Sequence, residues 1–368
     1  MIWIPLAAFA GCLVTGPPVR RAAIRLDLFD RPDGGLKPHQ NPIPYLGGVA
    51  IWIGWLAGML TGVATGELGS TPALAIAAAM TILMTLGLID DIRHLPPKLR
   101  LLVQTLTPIV IVWAGVGVVA PNLLLADMSI EQGVSDGWIA GVLTTLLAAF
   151  LFAGATNATN LIDGLDGLCA GVLGICAAGF AFFFYTQRSG VAAPLDSATM
   201  GLCVSLCVLG ACAAFLIFNF NPASMFMGDS GSLLLGGSAG LMLLLAAAIQ
   251  SWRGLVVGVL IFGFPIYDMG LAITRRKLNG KPLFIGDRSH FYDQLRDRGL
   301  SVRQTVIRCY ALAATLVVLG NLVMLISGPW FVIPAVLIPA VAGAVSVQLG
   351  LLRVDDTAAR STRGGTSV

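Results

Sequence analysis

Polar side chains recur at every third residue in one short stretch between two strongly apolar segments. They are Asn157, Asn160, Asp163 and Asp166. Other carboxylates stand at the ends of apolar stretches, at Asp90, Asp91 and Asp229. A carboxylate at the end of a membrane span is costly unless it pairs, binds a cation or faces water, so these positions predict a functional site. The alternative for the first stretch is an ordinary turn built from Asn, Asp and Gly.

The spacing of the first stretch limits how one helix could present it. Neighbours three residues apart share a helix face, but from Asn157 to Asp166 an ideal α-helix drifts by about 180°. Gly164 and Gly167 favour a break or a tightening of the helix. We therefore expect Asp163 and Asp166 to lie on a turn at the membrane surface.

Two other acidic positions could join the same site. Asp90 and Asp91 end an apolar helix, where adjacent side chains point about 100° apart, so one can face a site while the other meets solvent. Asp229 and Ser230 begin an apolar segment, and a helix N-terminus favours anions. Mg²⁺ typically takes one or two carboxylates plus phosphate oxygens, so Asp229 could bind a bridging cation. The alternatives are a solvated helix end for the Asp pair and simple N-capping by Asp229 or Ser230.

Basic and imidazole side chains complete this chemistry. Lys37 and His39 lie in a proline-rich segment, and Arg288 and His290 lie in the most basic loop of the chain. Either segment could act only as a topology signal, which is the alternative for most of its Arg residues. Acids that bind a metal, beside Lys, Arg and His that bind phosphate, indicate phosphoryl transfer to or from a lipid.

The elements that must position these residues are membrane helices. Of the 368 residues, 57% are hydrophobic and 11% are charged, which is outside the balance of a soluble domain. Repeated apolar runs of about 20 residues, enough to cross a ~30 Å hydrocarbon core, leave no room for a soluble domain. We predict an all-α polytopic membrane protein with one domain over residues 1–352 and a disordered tail over 353–368. About eleven spans are predicted, over residues 1–15, 45–65, 72–89, 99–120, 138–155, 168–185, 198–218, 232–249, 254–274, 302–326 and 330–352.

The basic residues fall almost entirely on one side of this predicted bundle. All of the 22 Lys and Arg residues except Arg188 and Arg253 lie in alternate loops, at their borders or in the tail. Because Lys and Arg accumulate in short cytoplasmic loops, we predict an N-terminus outside and a C-terminus in the cytoplasm. The same alternation places all of the acidic and basic motifs on the cytoplasmic face of a plasma membrane.

The motifs together resemble the polyprenyl-phosphate N-acetylhexosamine-1-phosphate transferase family, glycosyltransferase family 4, and appear in that family's order. They are Lys37…His39…Pro44…Gly47-Gly48, Leu88-Ile-Asp90-Asp91, Asn157-x-x-Asn160-x-x-Asp163-Gly-x-Asp166-Gly and Asn219…Phe226-Met-Gly-Asp229-Ser-Gly-Ser. The resemblance implies transfer of a sugar 1-phosphate from a UDP-sugar to polyprenyl phosphate such as undecaprenyl phosphate. It also implies release of UMP, a need for Mg²⁺ or alternatively Mn²⁺, and the start of a lipid-linked cell-envelope glycan.

The resemblance also implies roles for individual residues. Asp229 is implied as a Mg²⁺ ligand with Asp91 next to the metal, and Asp90 as the base or nucleophile. Asn219 and Phe226 are implied to contact uracil, Phe226 by stacking, and Lys37 to hold phosphate. The residues implied to shape the diphosphate and nucleotide pocket are Asn157, Asn160, Asp163 and Asp166. His39, Arg288 and His290 are further candidate substrate-binding residues.

The last cytoplasmic loop departs from the family's pattern. Family members often carry paired or triple histidines there, whereas this chain has Arg288-Ser-His290-Phe-Tyr-Asp293. That loop selects the sugar in the family, so the departure argues against UDP-N-acetylmuramoyl pentapeptide and favours UDP-N-acetylglucosamine. Sister activities with that pentapeptide donor, or with UDP-linked N-acetylgalactosamine, N-acetylquinovosamine or N-acetylfucosamine, are the alternatives.

A membrane transporter is the alternative from another class of function. Its polar residues should line a path at the membrane midplane, whereas the polar clusters here lie at span ends. Asp268 is an exception inside a predicted span near Pro265, where it either marks lateral entry of the prenyl lipid or is paired within the bundle. The expected partners are polyprenyl phosphate, the UDP-sugar and the membrane, with a homodimer as an option and no nucleic acid.

Overall fold

The computed structural model of the chain describes residues 1–32, 41–118, 137–188, 196–280 and 290–352. Lys37, His39, Arg288 and the predicted tail lie outside these ranges, so the predictions made for them stay predictions. Within the described ranges the fold is α-helical, as the sequence predicted. The exception is a small antiparallel ribbon in which Phe29–Asp30 (β1) pairs with Ile43–Pro44 (β2).

Helices of very different lengths make up the bundle. They are α1 Trp3–Arg25, α2 Gly47–Ala64, α3 Ser70–Arg93, α4 Pro97–Leu106, α5 Pro108–Trp113, α6 Gly137–Leu161, α7 Leu168–Gln187, α8 Ser197–Asn219, α9 Gly228–Ile261, α10 Gly263–Leu278, α11 Phe291–Asp297, α12 Val302–Val323 and α13 Val332–Gln348. A 3₁₀ turn, Gly328–Phe331, leads into α13.

Eight helices of the described chain are long and apolar enough to cross a membrane: α2, α3, α6, α7, α8, α9, α12, and α13 with its leading turn. The chain is therefore a multi-pass membrane protein. The sequence predicted about eleven spans, and helices also occupy the three remaining positions. They are α1 at the first predicted span, α4 with α5 at the fourth, and the end of α9 with α10 at the ninth.

A local backbone break explains why the fourth predicted span is not a single long helix, and another lies between the eighth and ninth predicted spans. Pro108 begins α5, and a proline has no backbone N–H to continue the hydrogen bonds of α4. Inside α9, Gln250 and Ser251 leave the helical region, with Ser251 at φ 52°. Beyond them, Gly254 lies against the carbonyl of Ala246, so the chain has turned back on itself. We call residues 228–249 the first arm of α9 and residues 252–261 its second arm.

The first arm of α9 forms the centre of the bundle. Every residue from Ser230 to Ala247 is buried. A helix that is apolar on all faces must be enclosed by other helices, and α2, α3, α6, α7, α8 and α12 all pack against α9. Gly236 and Gly240 let the backbone of α6 approach closely, since a Cβ at Gly236 would lie 2.6 Å from the Cα of Thr156. The ends of several helices therefore meet around the N-terminus of α9.

Candidate active site

A cavity of about 780 Å³ lies between the first turn of α9, the end of α3 and the turn that joins α6 to α7. Its lining includes every described residue that the sequence predicted for the site, with the exception of Asn157. These lining residues are Asp90, Asp91, Asn160, Asp163, Asp166, Asn219, Phe226, Asp229 and His290. Small-molecule sites commonly enclose roughly 300–1,000 Å³, so the volume suits a ligand the size of a nucleotide sugar.

Asp91 caps the helix that carries Asp229. Its Oδ1 accepts a hydrogen bond from the backbone N–H of Asp229 at 2.7 Å, and its Oδ2 accepts one from the N–H of Ser230 at 3.1 Å. The residue before α9, Met227, supplies no capping side chain, so the orphan donors of this helix are satisfied from α3 instead. The alternative reading in which Asp229 or Ser230 caps its own helix is not what the structure shows.

Glycines allow three backbones to meet at this helix start. A Cβ on Gly87 of α3 would overlap the backbone carbonyl of Asp229, and a Cβ on Gly48 of α2 would overlap the backbone of Gly231. Gly228 has φ +68°, and a Cβ there would lie 2.6 Å from Oδ2 of Asp91. Only glycine fits such close approaches, and Gly228 also needs the left-handed backbone region. The position of Asp229 is therefore set by backbone contacts as well as by side chains.

Asp90 points to a different partner. Its Oδ1 accepts from the N–H of Leu95 at 2.5 Å, and its Oδ2 pairs with the Arg100 guanidinium at 2.5 Å. Arg100 also lies 3.3 Å from Oδ2 of Asp229. Adjacent carboxylates on α3 thus serve separate elements, as their 100° offset allows. Asp90 is buried, so it is not the solvated helix end of the alternative reading.

The two asparagines at the end of α6 diverge. The Asn160 amide donates to Oδ1 of Asp229 at 2.6 Å and to Oγ of Ser232 at 3.0 Å. The Asn157 amide instead donates to Oε1 of Gln104 on α4 at 2.9 Å. Three helical residues span about 300°, which leaves the two side chains roughly 60° apart and lets them contact different neighbours. The structure thus places Asn157 behind the cavity wall, and its substrate-binding role stays a prediction.

Asp163 and Asp166 lie on the turn between α6 and α7, where the sequence predicted them. Burial, and then the charges of Asp229 and Asp91, raise the pKa of Asp163 to about 8. Several carboxylates facing one cavity repel each other, and a divalent cation is one means of relieving this repulsion. Asp163 is therefore a candidate to bind a cation together with Asp229.

The described residues fit a cation that is shared with a substrate. No three His, Cys, Asp or Glu side chains within the described ranges gather into a complete protein metal site. Mg²⁺ commonly keeps only one or two protein carboxylates and completes its shell with water and phosphate oxygens. Asp229 and Asp163 can supply those carboxylates and Asn160 an amide oxygen. Both oxygens of Asp91 accept backbone N–H groups, and its place next to the metal stays a prediction.

Asp166 and Asn219 organise the loop that leads into α9. Asp166 accepts from the Asn221 amide at 2.8 Å and from the N–H of Ala223 at 3.0 Å. The Asn219 side chain accepts from the N–H of Gly167 at 3.0 Å and donates to the carbonyl of Met225 at 3.0 Å. Both residues reach the cavity, but these contacts also make them supports for the loop that carries Phe226.

His290 reaches the cavity from the last cytoplasmic segment that the sequence predicted. Its Nδ1 lies 2.7 Å from Oδ2 of Asp268, whose Oδ1 accepts from the N–H of Phe291 at 2.7 Å. Asp268 is fully buried and paired, so the alternative in which this intramembrane acid is paired within the bundle is confirmed. Tyr292 stacks on His290 with ring centroids 5.4 Å apart, and its hydroxyl donates to the carbonyl of Leu161 at 3.1 Å.

Sequence reasoning missed several residues at this site. Arg100 was counted only as a topology signal, although its place between leucines in a predicted span was a usable indication. Tyr45, Tyr292 and Arg296 line the cavity itself. Burial, followed by the charges of Asp91 and Asp30, raises the pKa of Tyr45, whose hydroxyl donates to the carbonyl of Asp91 at 3.2 Å. No spacing in the sequence pointed to these three.

Comparison with known proteins agrees with the motif order. Residues 73–247 match Glycosyl transferase family 4. The chain is 36% identical to a probable undecaprenyl-phosphate N-acetylglucosaminyl 1-phosphate transferase of Bacillus subtilis, over 81% of this chain and 78% of that protein. It is 31% identical to the decaprenyl-phosphate N-acetylglucosaminephosphotransferase of Mycobacterium tuberculosis, over 95% of this chain and 88% of that protein.

A third relative marks the breadth of the family. It is a phospho-N-acetylmuramoyl-pentapeptide-transferase of a Mycobacterium species, 31% identical over 82% of this chain and 89% of that protein. These relatives cover most of the chain, and the matched residues 73–247 include the Asp pair of α3, the turn after α6 and the start of α9. The resemblance drawn from the motifs is confirmed, and the chain belongs to glycosyl transferase family 4.

Proposed function

We propose that this enzyme transfers N-acetylglucosamine 1-phosphate from UDP-N-acetylglucosamine to undecaprenyl phosphate or a related polyprenyl phosphate. A phosphate oxygen of the lipid attacks the phosphorus that bears the sugar. The bond from that phosphorus to the bridging oxygen breaks, and UMP leaves with that oxygen. The product is a lipid-linked pyrophosphoryl sugar that can start a cell-envelope glycan.

One observation carries this proposal: a single cavity at the end of a membrane bundle is lined by Asp90, Asp163 and Asp229, and Arg100 pairs with two of these acids. A phosphate anion must approach a diphosphate anion in this reaction, so the site must offset a large negative charge. Carboxylates that hold a cation, together with a fixed guanidinium, meet that need. The relatives named for N-acetylglucosamine 1-phosphate transfer support the choice of reaction.

The cation of this proposal is Mg²⁺, with Mn²⁺ as a substitute. Asp229 and Asp163 would hold it with the amide oxygen of Asn160, while Asp91 keeps the start of α9 in place. When bound, Mg²⁺ supplies positive charge to the donor diphosphate and to the developing charge on UMP. The dipole of α9 also favours negative charge near its first turn, where the N–H groups of Asp229 and Ser230 already bind the Asp91 carboxylate.

Asp90 acts as the base in this proposal. Arg100 and the N–H of Leu95 hold both of its oxygens in place, and this arrangement supports direct attack by the lipid phosphate over a covalent Asp90 intermediate. Asp90 takes the proton of a singly protonated lipid phosphate, so the attacking oxygen carries its full charge. Phe226 stacks on uracil, and Asn219 positions the loop that carries it.

The cavity faces the cytoplasm in this proposal, with the N-terminus outside and eleven membrane crossings. The distribution of Lys and Arg supports that orientation. Cytoplasmic UDP-sugar then enters the open side of the cavity, and the prenyl chain remains in the bilayer. The relatives support N-acetylglucosamine as the sugar, because a relative named for that sugar has 36% identity against 31% for the muramoyl-pentapeptide enzyme.

The test is release of UMP by the purified protein from UDP-N-acetylglucosamine, with undecaprenyl phosphate and Mg²⁺. We expect turnover that stops with EDTA and returns with Mg²⁺ or Mn²⁺. Asp229→Asn should lose roughly 10³-fold in turnover, because a developing charge loses its stabilisation. Asp297→Asn is the matched control, since it removes an exposed carboxylate outside the cavity and should retain activity.

A panel of donors separates this proposal from its sister activities. UMP release from UDP-N-acetylgalactosamine, UDP-N-acetylquinovosamine, UDP-N-acetylfucosamine or UDP-N-acetylmuramoyl pentapeptide alone would correct the sugar and keep the reaction. Lack of UMP release across the whole panel, with protein that binds Mn²⁺ and is folded, would reject the transferase function.

A further inference from the structure

Arg100 occupies the centre of the acidic cluster. Its guanidinium lies 2.5 Å from Oδ2 of Asp90 and 3.3 Å from Oδ2 of Asp229, and it donates to Oδ1 of Asn160 at 3.4 Å. The Arg100 side chain is 22% exposed and that of Asp90 is 5% exposed, so water screens this pair only partly. Among the described residues, Arg100 is the cation that the structure pairs with both Asp90 and Asp229.

These partners overlap with the groups expected to hold the divalent cation. Asp229 and Asn160 are contacts of Arg100 and also expected ligands of the cation. Each has one oxygen within reach of the guanidinium. A carboxylate oxygen cannot direct its full charge to a guanidinium and to a metal ion at once. The Asp90 pair is shorter and more buried than the Asp229 contact, so Asp229 is the partner that can be exchanged at lower cost.

We propose that Arg100 is a built-in counter-cation that competes with the divalent cation for Asp229 and Asn160 and thereby lowers metal affinity. The inference rests on the proposed function, because it takes the metal site from there. In the metal-free protein Arg100 neutralises the repulsion between Asp90 and Asp229. When a cation binds, Arg100 keeps its pair with Asp90 and yields its contacts with the other two residues, which leaves guanidinium N–H groups for a phosphate oxygen.

Arg100 is a positioning residue in this account, and it contributes in two opposite directions. It weakens metal binding, because it holds the ligands before the metal arrives. It aids turnover, because it keeps Asp90 oriented and places positive charge beside the attacking phosphate. A residue that only stabilised the fold would not strengthen metal binding when it was replaced.

The test is binding of Mn²⁺ to purified protein without substrates, followed by the electron paramagnetic resonance signal of free Mn²⁺. We expect Arg100→Gln, which keeps polarity and loses charge, to bind Mn²⁺ about tenfold more tightly than the wild type. Arg100→Lys keeps the charge and should stay near the wild-type affinity. Lys98→Ala removes an exposed charge two residues away and should change affinity little, which controls for long-range electrostatics.

Activity gives the second readout. Arg100→Gln should release UMP more slowly at saturating Mg²⁺ in spite of tighter metal binding, whereas Lys98→Ala should not. Mn²⁺ affinity that is unchanged or weaker in a folded Arg100→Gln protein overturns the competition, as does Mn²⁺ binding that survives Asp229→Asn. Because Mn²⁺ binding is measured without substrates, a wild type that binds Mn²⁺ yet lacks turnover counts against the proposed function and not against this inference.

Discussion

Asp91 and Asp229 are joined by a hydrogen bond of 2.7 Å from the backbone N–H of Asp229 to the Asp91 carboxylate. The two residues are 138 positions apart, and the bond ties the last turn of α3 to the first turn of α9. The carboxylate of Asp229 remains available to the cavity because its own helix is capped by another residue. Support and chemistry are therefore divided between two acids that look equivalent in the sequence.

Asp91→Asn should destabilise the protein and impair turnover together. The variant replaces one acceptor oxygen by an amide that faces the backbone donors of Asp229 or Ser230, and losing a helix cap costs about 0.5–2 kcal/mol. Thermal unfolding in detergent should show a lower midpoint, and UMP release should fall. An Asp91→Asn protein with unchanged stability and a large loss of turnover would assign Asp91 to the chemistry and not to the cap.

Gly87→Ala should abolish activity, whereas Gly154→Ala should be tolerated. A Cβ at Gly87 would overlap the backbone carbonyl of Asp229, while a Cβ at Gly154 would have no heavy atom within 4 Å. The first change must push α3 and α9 apart, and small shifts of catalytic groups are costly. The measurement is UMP release beside a size-exclusion profile. Full activity of Gly87→Ala would show that the two helices are free to separate.

His290→Gln and Asp268→Asn should have the same effect, because Asp268 acts through the ring that it holds. Each is expected to raise the KM for the UDP-sugar roughly tenfold, because loss of one charge-assisted hydrogen bond weakens binding by about that factor. The double variant should be little worse than either single variant, since both changes disrupt one unit.

One control accompanies this comparison. Asp297→Asn removes an exposed acid at the end of α11 and should leave the KM unchanged. Fully additive effects of the two changes would instead show that Asp268 and His290 act independently, in spite of the 2.7 Å contact between them.

Cysteine labelling can test the orientation of the chain. The native cysteines within the described residues are all buried, so an impermeant maleimide should react mainly with introduced ones. Lys98 and Thr65 are exposed and lie at opposite ends of the bundle in the predicted topology. In intact cells we expect Thr65→Cys to react and Lys98→Cys to react only after lysis. The reverse pattern would place the cavity outside the cytoplasm.

Much of the site could be predicted from local sequence patterns. The turn with Asp163 and Asp166 was predicted because Gly164 and Gly167 break a helix, and the structure ends α6 at Leu161. The acids could be grouped because the alternation of basic loops placed them on one face. Such inferences need only two kinds of information: the types of neighbouring residues in the sequence and the side of the membrane on which each loop lies.

The partners of each acid could not be predicted in this way. Arg100 and Asp229 are brought together by the packing of α4, α3 and α9, and nothing within a short window indicates that contact. Asn157 and Asn160 belong to the same three-residue repeat, yet they have different partners. Asn157 donates a hydrogen bond to α4, outside the cavity, whereas Asn160 donates one to Asp229. The partners of such side chains depend on which helices pack against each other. The hydrophobic pattern of a membrane span does not determine its neighbouring helices.

The glycine contacts around the start of α9 affect how mutational scanning data for this enzyme should be interpreted. Gly48, Gly87 and Gly228 carry no functional group, yet each is held against the backbone or carboxylates of the site. A mutational scan scored by growth or product alone would rank them beside Asp229. Intolerance at these positions would then reflect the distance between main chains, and chemistry could be inferred only from variants whose packing had been checked separately.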